Sequence, residues 1–180
     1  MIGLMAAPAT MRRCVFALGS NLGDRLAMLE SACDYLADVF GGLRLSQVYE
    51  TEPVGCPAGS PSYLNACVEV ETDMQAEEIL ELCLRIEQEL GRTRSGVYGE
   101  PRPCDIDLIC CGSETAATPQ LTLPHPRAHQ REFVLRPLCD LDAQLAHSAS
   151  AAGNYTYVFL HLEPLIRSLI ILYYSIIIIA

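Results

Sequence analysis

Hydrophobic positions along the chain change period several times, and each change marks an element. Arg13 to Leu18 is a compact run rich in bulky apolar residues, which predicts a buried first strand. It stops at the turn-forming cluster Gly19 to Asp24. From Asp24, a fitting N-cap, Leu26, Leu29, Cys33, Leu36 and Phe40 recur at spacings of three and four until Gly41-Gly42, the pattern of an amphipathic helix. Leu43 to Glu50 alternates loosely and predicts a second strand; Tyr63-Leu64-Asn65 opens a third over Ala66 to Glu71. Ile79, Leu82, Cys83, Ile86 and Leu90 form the apolar stripe of a second helix, with Thr72 and Gln75 resembling a capping box before it and Gly91 ending it. Cys104, Ile106 and Leu108 then alternate with Asp105 and Asp107, as in a strand whose two faces differ.

The order strand, helix, strand, strand, helix, strand predicts an α+β fold with a ferredoxin-like βαββαβ core, an antiparallel sheet with helices packed on it. Between these elements lie stiff loops. Thr51 to Ser62 holds three prolines and two glycines, so its backbone groups cannot all join a ladder and stay available to a flat heterocycle. Asn65, just beyond, offers an amide that donates and accepts. After Ile109 a polar, Thr-rich loop leads to Leu121 through Phe133, where His125 and His129 have the spacing of zinc ligands on a helix. Pro124 and Pro126 break any helix through His125, so a His donor and an Arg reaching phosphate oxygens fit this segment better.

The chemistry centres on Gly99 to Ile109. Asp105 and Asp107 share one strand face, their side chains starting about 7 Å apart, a gap that one or two hard cations can bridge. A solvated edge strand with an acidic outer face is the other reading of a bare D-x-D. Arg92, Arg94 and Arg102 stand close by in sequence, forming a local positive pocket, and arginine with metal is the usual means of stabilising phosphoryl transfer. Glu77, Glu78, Glu81 and Glu89 read as solvated helix face, whereas Glu87 lies beside the arginine loop. The turn at Gly19 to Asp24 could bind an anion, but a tight turn with a cap explains it as well.

Composition narrows the classes. At 180 residues the chain fits one domain with a proper core. A net charge of −10 argues against nucleic acid or an anionic membrane as partner. All twelve basic side chains are arginine, which excludes a phosphate loop of the kind that uses lysine. The nine cysteines form no C-x-x-C pair, lie mostly in apolar runs and are expected to be reduced, in a reducing, cytoplasmic compartment. The N-terminal MIGLMAAPATMRR places apolar residues before its arginines, the reverse of a secretory signal, and Met11 offers an alternative start.

Several stretches together carry a resemblance. Phe16 to Asp24 (FALGSNLGD), Tyr49 to Gly55 (YETEPVG), Tyr63 to Ala66 (YLNA), Ile86-Glu87 with Leu90 to Arg94 (LGRTR), Pro101-Arg102 with Asp105 to Leu108 (DIDL), and Pro124 to Arg127 (PHPR) with Arg131 to Leu138 resemble the 6-hydroxymethyl-7,8-dihydropterin pyrophosphokinases, in the right order over about residues 13 to 148. The resemblance implies transfer of pyrophosphate from ATP to the pterin hydroxymethyl group, releasing AMP, in tetrahydrofolate biosynthesis. It implies that Asp105 and Asp107 hold two Mg2+ ions and that Arg92 and Arg102 close on the triphosphate. Thr51, Val54, Tyr63, Asn65 and Phe133 would bind the pterin, and Glu87, Arg94, Leu108, Thr122, His125 and Arg131 would bind ATP. The expected partners are these two substrates, with no nucleic acid and no membrane, and the chain is expected to work as a monomer.

Two features depart from that pattern. The family usually reads aromatic-Gly-Pro-Arg before the aspartates, where this chain has Tyr98-Gly99-Glu100-Pro101-Arg102. Either Gly99 replaces the aromatic and Glu100 the glycine, or Glu100 is inserted and Tyr98 is the aromatic. The pyrophosphokinase domain is expected over 11–150, followed by an atypical hydrophobic tail over 151–180. Thirteen uncharged residues follow Arg167, short of the ~20 that span a bilayer, so a lineage-specific tail is the expectation ahead of a membrane anchor. Two other functions fit parts of the pattern, a nucleotidyltransferase sharing the Gly-Ser turn and D-x-D, and a non-enzymatic ferredoxin-like binding module. Released pyrophosphate would mark the first, absence of Mg-dependent ATP binding the second.

Overall fold

A computed structural model describes residues 10–94, 96, 99–142 and 158–160. The N-terminal nine residues, Tyr98 and the tail apart from 158–160 lie outside them. The elements run β1 (Arg12–Ser20), α1 (Arg25–Phe40), β2 (Arg44–Leu45), β3 (Val48–Thr51), β4 (Tyr63–Thr72), α2 (Ala76–Glu89), β5 (Asp105–Cys111), β6 (Ala116–Ala117), β7 (Thr122–Leu123), α3 (Glu132–Leu141) and β8 (Val158–Leu160). The main sheet has the order β5-β1-β4-β3-β8, with β2 also on β4, and every pair is antiparallel. Its first four strands in that order are the βαββαβ arrangement expected.

The long strands are buried on both faces. Phe16, Leu18, Leu64, Val68, Ile106 and Leu108 pack against Leu29, Ala32 and Leu36 of α1 and Ile79, Leu82, Cys83 and Ile86 of α2. Val15, Cys67 and Ile109 face the other way, onto Val134, Leu138 and Leu141 of α3. Each such aliphatic side chain, fully buried, contributes roughly 1.5–3 kcal/mol. Asp24 caps α1 as expected, its Oδ1 accepting from the Ala27 N–H at 3.1 Å, and Gly41 ends it in the left-handed region at φ 75°.

Five expectations need correction. The stretch Leu43 to Glu50 is two short strands, not one, because Ser46 turns away to donate to Gln47 O while its Oγ accepts from the Cys67 N–H. The reciprocal cap of α2 joins Gln75 and Glu78, whose Oε2 accepts from the Gln75 N–H at 3.0 Å; Thr72 instead accepts from Met74 N–H. The Thr-rich loop contains the β6–β7 hairpin. Glu132–Leu141 folds as a third helix despite Pro137, because Val134, Leu135, Leu138 and Leu141 bury on one side. Finally, Cys14 and Cys111 form a disulfide instead of staying reduced: they are cross-strand partners of β1 and β5, with Cα atoms 4.1 Å apart. The other described cysteines are free thiols, and burial pushes Cys33 and Cys104 up to about 12, leaving them unreactive.

Candidate active site

The α3 face of the sheet ends in a cavity of about 600 Å³. Its floor comes from one end of three strands: Gly19 on β1, Tyr63 and Asn65 on β4, Asp105 and Asp107 on β5. The strand register explains the grouping, since Gly19 pairs with both Asn65 and Asp105, and alternation sends these side chains to the same face. Gly19 leaves the room. A Cβ there would lie 3.4 Å from Asn65 Oδ1 and 3.8 Å from Asp105 Cβ.

Asp105 is gripped from two directions. Arg92 donates to its Oδ1, and Arg102 Nη2 to its Oδ2 at 2.5 Å. Burial alone would raise the Asp105 carboxyl, but the Arg102 and Arg92 charges outweigh it and hold it below the ordinary carboxylate range. Asp107 shifts the opposite way, raised first by burial and then by the Asp105 charge, against His125 and Arg131. Arg131 Nη1 donates to Asp107 Oδ2 at 3.3 Å, and His125 Nε2 stands 4.0 Å from the same oxygen. Burial lowers His125, with Arg131 and Arg127 adding to the effect against Asp107, which favours the neutral ring.

The arginines are themselves anchored. Glu87, 3% exposed on α2, takes Arg92 at Oε1 and Arg94 at Oε2, the latter at 2.7 Å. Its Oε1 also accepts the Ile106 N–H of the sheet-edge strand β5 at 2.9 Å. Burial raises this carboxyl, opposed by the Ile106 N–H and both arginines. His125 owes its place to a bulge: Ile109 has no cross-strand partner on β1, and its carbonyl accepts the His125 N–H at 2.8 Å.

Opposite the aspartates, Asn65 Nδ2 donates to Thr51 Oγ1 at 2.9 Å, leaving the amide oxygen facing the cavity side near Gly19. Tyr63 lies under Arg102 and Phe133 under Arg131, each guanidinium 5.5 Å from the ring centre. Thr51, Val54, Tyr63, Asn65, Arg92, Arg94, Arg102, Asp105, Asp107, His125, Arg131 and Phe133 therefore line one space. Three expected residues do not. Glu87 lies buried behind the arginines, Leu108 packs its side chain into the helix-facing core, and Thr122 is exposed on β7 outside the lining.

Two contributors were not foreseen. Arg127 lines the cavity beside His125, a position its place in Pro124-His125-Pro126-Arg127 could have signalled. Asn21, 1% exposed, ties three segments: its Oδ1 accepts the Arg102 N–H at 2.8 Å, its N–H donates to Arg102 O at 3.2 Å, and its Nδ2 donates to Pro61 O at 3.2 Å. Nothing in the hydrophobic pattern distinguishes such an amide from any turn asparagine.

Residues 15–143 match the family model described as 7,8-dihydro-6-hydroxymethylpterin-pyrophosphokinase. The chain belongs to the 7,8-dihydro-6-hydroxymethylpterin-pyrophosphokinase family. Among its relatives, a pyrophosphokinase of that substrate from Bacillus subtilis is 41% identical over 138 residues, covering 76% of this chain and 81% of the relative. One from Porphyromonas gingivalis is 43% identical, covering 69% and 86%. The folate synthesis bifunctional protein of Arabidopsis thaliana is 38% identical over 73% of this chain, which matches 27% of it. The fold also matches a Plasmodium falciparum HPPK-DHPS crystal structure with TM-score 0.54 and 14% identity, over 73% of this chain and 40% of that one. The pyrophosphokinase transfers pyrophosphate from ATP to 6-hydroxymethyl-7,8-dihydropterin in folate synthesis. Among the described residues no helix is long and apolar enough to cross a membrane.

The odd sequence before the aspartates gains a physical reason. Gly99 has φ +71°, and a Cβ on it would stand 2.8 Å from Gly55 O, so position 99 accepts no side chain. Gly99→Ala is expected to push the arginine loop off the 51–62 loop and lower kcat/KM about tenfold, with little change in Tm. Steady-state kinetics beside a thermal melt checks this, and an unchanged kcat/KM would show that the two backbones need not touch.

Proposed function

We propose that the cavity binds both substrates side by side, the pterin over Thr51, Val54, Tyr63, Asn65 and Phe133, and the ATP phosphates over the arginines and aspartates. The observation that carries this reading is the double grip of Arg92 and Arg102 on Asp105, within the cavity that Asn65 and Tyr63 share. Guanidiniums parked on a carboxylate can move to phosphate oxygens once a cation takes that carboxylate. Arg102 fits this role further, because its Nε is buried without a hydrogen-bond partner among the described residues. It is a donor suited to an incoming anion.

Asp105 and Asp107 would hold two magnesium ions. The donor set agrees: two carboxylates on one strand face, one of them held ionised, suit a hard cation with oxygen ligands. When bound, the ions supply charge neutralisation on the transferring phosphates. Arg92 and Arg102 close on the triphosphate, Arg94, His125 and Arg131 orient it, and Glu87 supports Arg92 and Arg94 from behind. Asn65 and the 51–54 backbone orient the pterin so that its hydroxymethyl oxygen faces the β-phosphorus. Attack there needs alignment and charge stabilisation more than a strong general base. Leu108 and Thr122 would contribute from the margin, Leu108 through backbone on the free edge of β5. The tight approach at Gly99 favours the alignment in which Gly99 is the family glycine, Glu100 the added residue and Tyr98 the aromatic. We read 11–150 as the catalytic domain, working in the cytoplasm as a monomer.

The test is AMP release from ATP with and without 6-hydroxymethyl-7,8-dihydropterin, under chelation and with magnesium restored. Pterin-dependent AMP that vanishes on chelation and returns with magnesium is expected. AMP formation indifferent to the chelator would remove the two aspartates from the metal role.

A further inference from the structure

We propose that Arg25 is a positioning residue for the pterin loop, setting affinity for the pterin and not for ATP. This rests on the reading of 51–65 as the pterin side of the cavity. Arg25 is the first residue of α1, where a cation meets the positive end of the helix dipole. A compensating partner set is therefore expected, and it is found on the loop. Arg25 Nη1 donates to Glu50 Oε1 at 2.6 Å and to Ser62 O at 2.9 Å. Glu50 is the residue before Thr51, and Ser62 is the residue before Tyr63. One guanidinium thus holds both ends of the loop.

The β3–β4 ladder already pairs Thr51 with Tyr63, which fixes the spacing of the stem. It does not fix how the loop leans over the cavity. Tyr49 and Thr51 are buried while Glu50 between them is not, so Glu50 points to the opposite face, toward α1, and Arg25 holds the stem from behind. Pro61 O and Ser62 O are consecutive carbonyls, and Asn21 takes the first as Arg25 takes the second. The turn 21–25 is a bracket on the returning end of the loop. The Arg25 and Glu50 side chains are 31% and 29% exposed, half-sheltered enough for the pair to hold its geometry.

The experiment uses the full chain and the variants Arg25→Ala, Arg25→Lys and Glu50→Gln. AMP release is measured with the pterin varied at saturating MgATP, then with ATP varied at saturating pterin, and pterin binding is measured directly by calorimetry with a non-hydrolysable ATP analogue. Arg25→Ala is expected to raise the pterin KM about tenfold and leave the ATP KM within twofold. Arg25→Lys should recover part of the loss, and Glu50→Gln should show a smaller shift in the same direction. Equal rises in both KM values, or an unchanged pterin KM in folded Arg25→Ala, would overturn the proposal and leave Arg25 a structural tie. If Arg25→Ala does not fold, an unchanged pterin KM in both milder variants overturns it equally. A wild-type chain without pterin-dependent AMP would instead count against the proposed function, while calorimetry would still read the loop.

Discussion

Asp107→Ala is expected to lower pterin-dependent AMP release by about a thousandfold or more, because half of the proposed cation-binding pair and its charge stabilisation would be lost together. Asp107 is the better of the two aspartates for this test. Its side chain is 36% exposed, and its partners are distant, Arg131 at 3.3 Å and His125 at 4.0 Å. Its removal should therefore cost under about 1 kcal/mol of stability. Asp105 satisfies two guanidiniums at once, and its removal would leave Arg102 without its carboxylate partner and Arg92 with Glu87 alone. Activity of Asp107→Ala within tenfold of the wild type, in a chain with an unchanged melt, would refute the assignment.

The second large effect is on stability. Glu87→Ala should destabilise the fold by about 2–3 kcal/mol, since it leaves the buried Ile106 N–H without its acceptor and takes one of two carboxylate partners from the largely buried Arg92, while Arg94 is exposed to solvent. A Tm lower by roughly 10 °C is the corresponding readout. Glu87→Gln should behave differently. It keeps an acceptor for Ile106 and removes the charge whose burial raises this carboxyl above its ordinary value. A raised folded-state value means that the protonated form is favoured in the fold. The wild type is then most stable relative to Glu87→Gln below the ordinary carboxylate range, and loses that margin as pH rises through the folded value. Near pH 7 the Gln variant should melt within a few degrees of the wild type while turning over more slowly, because Arg92 and Arg94 have lost their charged anchor. An equal loss of Tm in both variants would show that the charge, and not packing or the acceptor for Ile106, explains the site.

The sequence made the scaffold legible where one physical term dominates. The 3.6-residue stripes of α1 and α2 and the alternation around Asp105 are burial patterns, and burial decided them. The third helix escaped because Pro137 sits inside it and its segment was read for chemistry, whereas the apolar side against β4 and β1 outweighs the lost hydrogen bond. The disulfide escaped for a different reason: Cys14 and Cys111 are 97 residues apart, and only the β1–β5 register makes them neighbours. In the site, the aspartates and arginines were visible as types and spacing. Their mutual arrangement was not, since Glu87 accepting Ile106 and the bulge carbonyl at Ile109 holding His125 are backbone matters that no residue type announces. Tyr98 lies outside the described residues, so the aromatic of the arginine loop rests on the constraint at Gly99.

A sheet of this kind ordinarily ends in two rows of unpaired N–H and C=O groups, each a template for strands of other chains. Here the β5 margin is partly blunted. The Ile106 N–H is taken by Glu87 and the Ile109 carbonyl by His125, while on the far side Val158–Leu160 pairs with Val48 to Glu50 and becomes the outer strand itself. Along β5 a strand from another copy of the chain therefore finds two fewer groups to pair with. The carboxylate that braces Arg92 and Arg94 also occupies an N–H that a further strand would need, so the closing of this sheet margin and the placing of the arginines depend on the same buried residue.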